Sequence, residues 1–274
     1  MKYASLVCSS HVEMAVRCLS SFVRRGKIRY LYIFDDGSMS KGDIQKLKII
    51  PCNIRFVSRE ECKETVTKKL KGFDHALGYR KEHAFGIKLV DIPIYLNQSF
   101  LYTDTDIMYY RDFSLKNIKD KDIVFMCEHN TSYSVDYKDQ FFCDPIRLVK
   151  NLNAGLLYVS EGAYAIDKVN KFLGNNKYKK REWLIEQTAW AYLAAACNSG
   201  YWSPSQVAIA NERGDYSDNV IAVHYISTHR GRLEKDVITV QDDIADSPSD
   251  IRVLPSKKSR FTDGIIARAV ARFK

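Results

Sequence analysis

What most constrains the fold is alternation: over its first hundred residues the chain switches between short apolar runs and segments of helical period. KYASLVCSS reads as a strand ending in small polar residues, and HVEMAVRCLSSFVRRG then places Val12, Val16, Leu19 and Val23 at helical spacing ahead of Gly26. IRYLYIF is a second strand running into the turn DDGS. KGDIQKLKII reads as a helix, NIRFV as a third strand and SREECKETVTKKL as a further helix, with Ser58 as its cap and Glu61 three residues on. Strands alternating with helices predict an α/β fold whose mainly parallel sheet is flanked by helices on both faces. Ligands in such sheets collect at the carboxyl ends of the strands.

Farther on, a long helix is expected from His75 to Leu96, bent before Pro93 and leading into the strand FLYTDTD. DIVFMCEH is another strand, 130–150 a polar, aromatic-rich loop, LNAGLLYVS a strand and AYAIDKVNKFL a helix. EWLIEQTAWAYLAAACNSG is a strongly apolar helix stopping at Gly200, and NVIAVHYIS a late strand. Apolar density then falls through RLEKDVITVQDDIADSPSD, a tail or linker. In the last residues Phe261, Ile265, Ile266, Val270 and Phe273 line one side of a helix flanked by Arg268, Arg272 and Lys274. Such a helix is able to lie on anionic lipid, giving peripheral membrane contact through 251–274; an ordinary helix docked on the domain is the competing reading.

With 46% hydrophobic and 27% charged residues the chain is globular, not disordered. Its net charge of +9 calls for an anionic partner, and nucleic acid, anionic lipid or a phosphorylated substrate all qualify. The basic residues are scattered and form no recognised nucleic-acid-binding motif, so no nucleic acid is expected. Seven cysteines, odd in number and without a C-x-x-C pair, disfavour a disulfide framework and a structural zinc site. The opening MKYASLVCSS lacks the apolar core of a signal peptide, and no run approaches the ~20 residues that span a bilayer. A cytoplasmic location follows as the expectation.

In FLYTDTDIMYY an apolar, aromatic run is interrupted by Asp104 and Asp106, which share parity on a strand and so point to one face. Two like charges persist there most readily at a strand end that solvent or a cation reaches, and a solvated turn is the competing reading. Asp120 and Asp122 in KDKDIVF have the same spacing but precede their apolar run, at the wrong end for a ligand. A hard divalent cation between Asp104 and Asp106 would take the rest of its shell from phosphate oxygens, water and a histidine, and would offset charge growing on a leaving diphosphate.

Several motifs in order resemble the GT-A fold glycosyltransferases, and within them the retaining family eight that contains glycogenin and bacterial lipopolysaccharide hexosyltransferases. YLYIFDDGSMSKGDIQKL is similar to that family's second strand and following helix, Lys88-Leu89 lies ahead of Asp104 at its interval, FLYTDTDIMYYRDF matches its metal strand, NAGLLYVS its asparagine-glycine strand, IEQTAW its acidic-glutamine helix, and His224 in VHYIS its late histidine. The resemblance implies a Rossmann-like GT-A domain over residues 1–230, with a mixed, mainly parallel sheet, and a C-terminal extension over 231–274. It implies Mn²⁺ or Mg²⁺ on Asp104, Asp106 and His224, and a nucleotide-sugar donor, a UDP-sugar, as substrate. Asn153 and Gly155 would lie beside the transferred sugar, Glu186 and Gln187 at its hydroxyls or reaction face, and Lys88 near the donor. Arg230, six residues after His224, stands where the family has a lysine on the pyrophosphate. Three departures are visible: Ser227 replaces a glycine, no proline-tryptophan pair follows Arg230, and Glu186 replaces the commoner aspartate.

Structural roles compete at each position. His224 also suits a hydrogen-bonded core histidine, Asn153 and Gly155 a bulge, Lys88 an exposed helix face, and Asp35 and Asp36 a turn. From position alone, Ser9, Ser10 and His11 after the first strand, and Asp35 after the second, are placed to receive a nucleotide, while Ser10 also suits a helix cap. The implied reaction moves a hexose to a saccharide or lipid-linked glycan acceptor. With retention, the departing phosphate takes the acceptor proton; with inversion, Glu182 or Glu186 becomes the base. A sugar nucleotidyltransferase is the rival enzyme, but no early glycine-rich, arginine-containing loop supports it.

Overall fold

The computed structural model describes residues 1–118, 120–135, 147–175, 181–236 and 249–260. In chain order its elements are β1 (Lys2–Val7), α1 (Val12–Arg25), β2 (Tyr30–Asp35), α2 (Lys41–Leu47), β3 (Asn53–Val57), α3 (Arg59–Lys69), α4 (Asp74–Glu82), a π-helical turn (Ile87–Asp91) continuing into α5 (Ile92–Leu96), β4 (Phe100–Thr103), β5 (Ile107–Tyr109), β6 (Phe113–Ser114), β7 (Ile123–Cys127), β8 (Arg147–Val149), β9 (Leu152–Val159), α6 (Ile166–Gly174), α7 (Ile185–Ala195), β10 (Ser199–Trp202), β11 (Val207–Ile209), β12 (Ala222–His224), β13 (Ser249–Asp250), β14 (Val253–Pro255) and β15 (Lys258–Arg260).

Eight strands form the main sheet in the order β14-β10-β7-β9-β4-β1-β2-β3. The block β4-β1-β2-β3 is parallel, as the β-α-β opening predicts, and β9 runs antiparallel to both β4 and β7. That inversion matters for the site, because the amino-terminal half of β9 then lies at the edge where β4 and β1 end. A second sheet, β11-β12-β5, starts where the main one stops. One apolar layer, including Leu70, Leu89, Trp190 and Leu193, joins the helices α3 to α7 to the sheet, and another, including Leu19, Phe22, Trp202 and Ile251, packs α1 against the opposite side.

Local signals act as their chemistry requires. Ser58 Oγ accepts from Glu61 N at 3.1 Å and caps α3. Ser10, by contrast, does not cap α1: the capping position is His11, without a side-chain cap bond, and Ser10 Oγ lies 3.2 Å from Cys8 Sγ. The helix expected from His75 to Leu96 is broken. α4 ends at Glu82, and Gly86 brings the turn so close to α4 that an added Cβ would stand 2.5 Å from Arg80 Cα. Asp104 and Asp106 lie in the turn between β4 and β5, not within one strand.

The chain beyond residue 230 partly rejoins the fold. β14 pairs antiparallel with β10 in the main sheet, and fully buried Ile251 donates its N–H to Ser114 O at 3.1 Å. β15 pairs with β8, so residues 258–260 of the expected tail helix are a strand, while 261–274 lie outside the described residues. Replacement Ile251→Ala is expected to cost about 2–5 kcal/mol in urea unfolding, the range for a buried isoleucine; an unchanged midpoint would mean that this segment does not pack on the domain.

Candidate active site

The site is built where β4 runs out. Ser5 of β1 fixes the end of β4 by donating to Thr103 O at 2.8 Å, and Asp104 N donates to Gly155 O of β9 at 2.7 Å. Asp106 follows, and the antiparallel register of β12 on β5 sets His224 opposite Ile107, beside it. Tyr225 N donates to Asp106 O at 2.8 Å, which clamps the two strands at this point. Residues 118 positions apart in sequence meet as a consequence: His224 Nε2 is 3.0 Å from Asp106 Oδ1 and 3.9 Å from Asp104 Oδ2.

Asp104, Asp106 and His224 each offer a ligand atom within 4.8 Å of the others, a donor set that suits a hard divalent cation. The surroundings support that use. His224 is buried, and its Nδ1 has no hydrogen-bond partner. Its ring packs close against Gly155, where a Cβ would come to 2.6 Å from Nδ1, so glycine leaves the imidazole its place.

Charge compensation comes from two remote cations. Arg230 forks onto Asp106 Oδ2, with Nε at 2.9 Å and Nη2 at 2.8 Å, while Nη1 reaches His11 Nε2 at 3.3 Å. Burial drives the Asp106 carboxyl up, but His224 and Arg230 outweigh it and leave the group ionised well below the usual carboxylate range. Lys88 Nζ lies 3.1 and 3.2 Å from the two oxygens of Asp104, 3.8 Å from Glu186 Oε1, and 4.6 Å above the Tyr102 ring. Tyr102 also donates to Asp104 Oδ1 at 2.7 Å. Burial pulls Lys88 down and Asp104 and Glu186 pull it up more strongly, so it stays charged. Lys88 is thus not on an exposed helix face.

The structure brings the remaining site residues together in part. Glu186 and Gln187 are buried in the first turn of α7, and Gln187 Nε2 donates to Ser132 O at 2.9 Å. Asn153 Oδ1 accepts from Gly155 N at 2.8 Å and its Nδ2 donates to Glu128 Oε1 at 2.7 Å. Glu128 is the residue that sequence reasoning missed. It follows β7 at the edge where β4 also ends, and burial raises its carboxyl despite the bond from Asn153 and the charge of His224. Its place at the end of the run DIVFMCEH was the available signal, the same one that marks Asp104.

Other candidates stand apart from the cluster. Ser9 Oγ donates to Asp43 Oδ2 at 2.8 Å, and Asp35 Oδ1 accepts from Gly37 N and Met39 N, shaping its turn. Exposed Glu182 lines a groove of about 340 Å³ with Asp74, His75, Tyr79 and Glu82.

The architecture is that of the GT-A glycosyltransferases: a mixed, mainly parallel sheet flanked by helices. Among solved structures an active-site mutant of LgtC superposes with a TM-score of 0.50 at 11% identity, covering 86% of this chain and 94% of that one. Mouse xyloside xylosyltransferase 1 in its apo form gives 0.52 at 12% identity, covering 83% of this chain and 98% of that one. No protein-family model and no curated protein matches the sequence. At such identities the likeness is one of fold.

Glu186 makes a pH signature. Burial pushes its carboxyl from 4.5 up to about 7, with Lys88 opposing and Asp104 adding to the rise. The folded protein therefore holds this proton more tightly than the unfolded chain, so the stability it contributes is full below 4.5 and lost as pH rises through about 7. The loss is on the order of 3 kcal/mol, at roughly 1.4 kcal/mol per tenfold change in proton affinity. Urea unfolding of Glu186→Gln at pH 5 and pH 8 is expected to show most of that loss abolished; an identical pH dependence in both proteins would contradict the assignment.

Proposed function

We propose that this chain is a divalent-cation-dependent glycosyltransferase, moving a hexose from a UDP-sugar to a hydroxyl of a saccharide or lipid-linked glycan acceptor with retention of configuration. The observation that carries the reading is the meeting of Asp104, Asp106 and His224 at the carboxyl edge of a GT-A sheet. A Mn²⁺ or Mg²⁺ ion held by these three residues would supply Lewis-acid charge to the donor diphosphate.

The chain's own groups do the rest. Arg230, half-exposed and aimed at the same carboxylate, is placed to offer its remaining outer N–H groups to phosphate oxygens, and His11 beside it follows β1. Lys88 holds Asp104 in place. Because Lys88 and Arg230 balance the two aspartates, a cation and a diphosphate enter most favourably together, each neutralising the other. Gly155 and Asn153 present a close backbone and an amide to the sugar, and Glu186 and Gln187 stabilise positive charge developing at its anomeric carbon. In the retaining course the departing phosphate oxygen accepts the proton of the attacking hydroxyl. We assign residues 1–230 to the catalytic domain, with 231–274 as an extension that contributes strands to it. Among the described residues no helix is long and apolar enough to cross a membrane. The proposed setting is the cytoplasm, with the basic, apolar sequence of 261–274 meeting the inner membrane face where a lipid-linked acceptor would lie.

Separate Asp104→Ala and Asp106→Ala replacements are expected to lower Mn²⁺-dependent donor hydrolysis on the order of 10²-fold or more, followed by release of UDP. Undiminished turnover in either would remove the site. One observation favours inversion instead: Glu186, with its carboxyl near 7, is poised as a general base. NMR of the product anomer decides, retention being the expected outcome and an inverted product assigning the base to Glu186.

A further inference from the structure

Beneath Lys88 lies an ion pair that the proposed chemistry does not touch. Arg80, near the end of α4, donates from Nε to Asp91 Oδ1 at 2.6 Å, and both side chains are buried. Asp91 closes the π-helical turn Ile87–Asp91, whose five residues are all buried and whose wide pitch is marked by the bond from Ile92 N to Ile87 O. Lys88 stands in the same turn, three residues earlier.

The pair is poorly built for stability. Arg80 Nη2 and Asp91 Oδ2 have no hydrogen-bond partners, although a forked contact would satisfy both. Burial raises the Asp91 carboxyl by more than Arg80 lowers it. Single buried pairs of this kind add little over apolar residues of similar volume. Their directional value is another matter, since a lone π turn is a strained departure from α-helix that neighbours must hold, and such turns recur at functional sites. Gly86 presses the start of this turn against the Arg80 backbone, so α4 grips it at both ends: by close approach at Gly86 and by charge at Asp91.

We infer that Arg80 and Asp91 are positioning residues for Lys88, their buried ion pair locking the π turn onto α4 and thereby setting the Lys88 ammonium against Asp104 and Glu186. The geometric claim concerns Lys88 alone; its consequence for nucleotide binding rests on the function proposed above.

The test replaces the pair by Arg80→Met with Asp91→Leu, which keep the volume and remove the direction. In protein labelled with ¹⁵N at lysine Nζ, the buried Lys88 ammonium gives a slowly exchanging cross-peak, assigned by its loss in Lys88→Met. The double variant is expected to retain the parent's circular dichroism while this cross-peak shifts or broadens. Its affinity for UDP with Mn²⁺, measured by calorimetry, is expected to fall about tenfold, and the same pair of replacements in a Lys88→Met background to cause no further fall. Arg80→Lys, which keeps the charge and shortens the reach, provides the same readouts if the double variant does not fold. A folded variant with an unmoved Lys88 cross-peak overturns the proposal, as does an equal loss of affinity with and without Lys88. Failure of the parent to bind UDP would count against the proposed function, and the cross-peak would still decide the role of Arg80 and Asp91.

Discussion

The contact on which the site depends is the one between Asp106 and His224. Asp106 is buried, carries a full negative charge and stands two residues from another aspartate, a combination that the interior tolerates only with counter-charge and hydrogen bonds in place. His224 and Arg230 provide them, and both arrive on a single stretch that leaves β12 and turns into a short 3₁₀ segment over 227–232. The second sheet exists, in energetic terms, to bring that stretch to β5. Without it Asp106 would be left a buried carboxylate with neither its imidazole nor its guanidinium partner.

The same logic extends outward from the pair. Asp104 needs Lys88, and Lys88, buried on an irregular turn, needs something to hold the turn. Each polar group accepted into the interior recruits another from a more distant part of the chain, through Arg80 and Asp91 on one side and through Asn153, Glu128 and Gln187 on the other. Lys88 faces Asp104 and Arg230 faces Asp106, while Glu186, which shares Lys88 with Asp104 at 3.8 Å, is driven by burial toward its neutral form. On the proposed function, ion pairs arranged so would receive a cation and a polyanion as a matched set.

Backbone irregularity concentrates where this chemistry is placed. The π turn carries Lys88, β9 shifts register against β7 between Val124 and Met126 just opposite Asn153, and Gly155 allows a ring to lie on the main chain. These departures cost local stability, which the extensive apolar layers on either side of the sheet offset. The framework of regular strands and helices is what lets the edge be irregular.

How much of this was legible beforehand follows from the range of the interactions involved. Strand and helix periodicity is local, so the β-α-β opening, the cap at Ser58 and the β9 strand could be read directly from residue patterns. The position of Asp104 and Asp106 after an apolar run was equally local, and the resemblance of ordered motifs placed His224, Asn153, Glu186 and Arg230 in one neighbourhood. Where close approach of distant segments decided the outcome, pattern failed. Gly86 against α4 broke an expected helix, Glu128 went unmarked, and part of a polar tail became an edge strand of the main sheet. Sequence alone determined the class of fold and the kinds of side chain at its ligand-bearing edge, because periodicity and residue chemistry are carried by neighbours along the chain. Only tertiary structure decided which oxygen meets which nitrogen, and therefore which carboxyls are charged, because burial and pairing depend on segments more than a hundred residues apart.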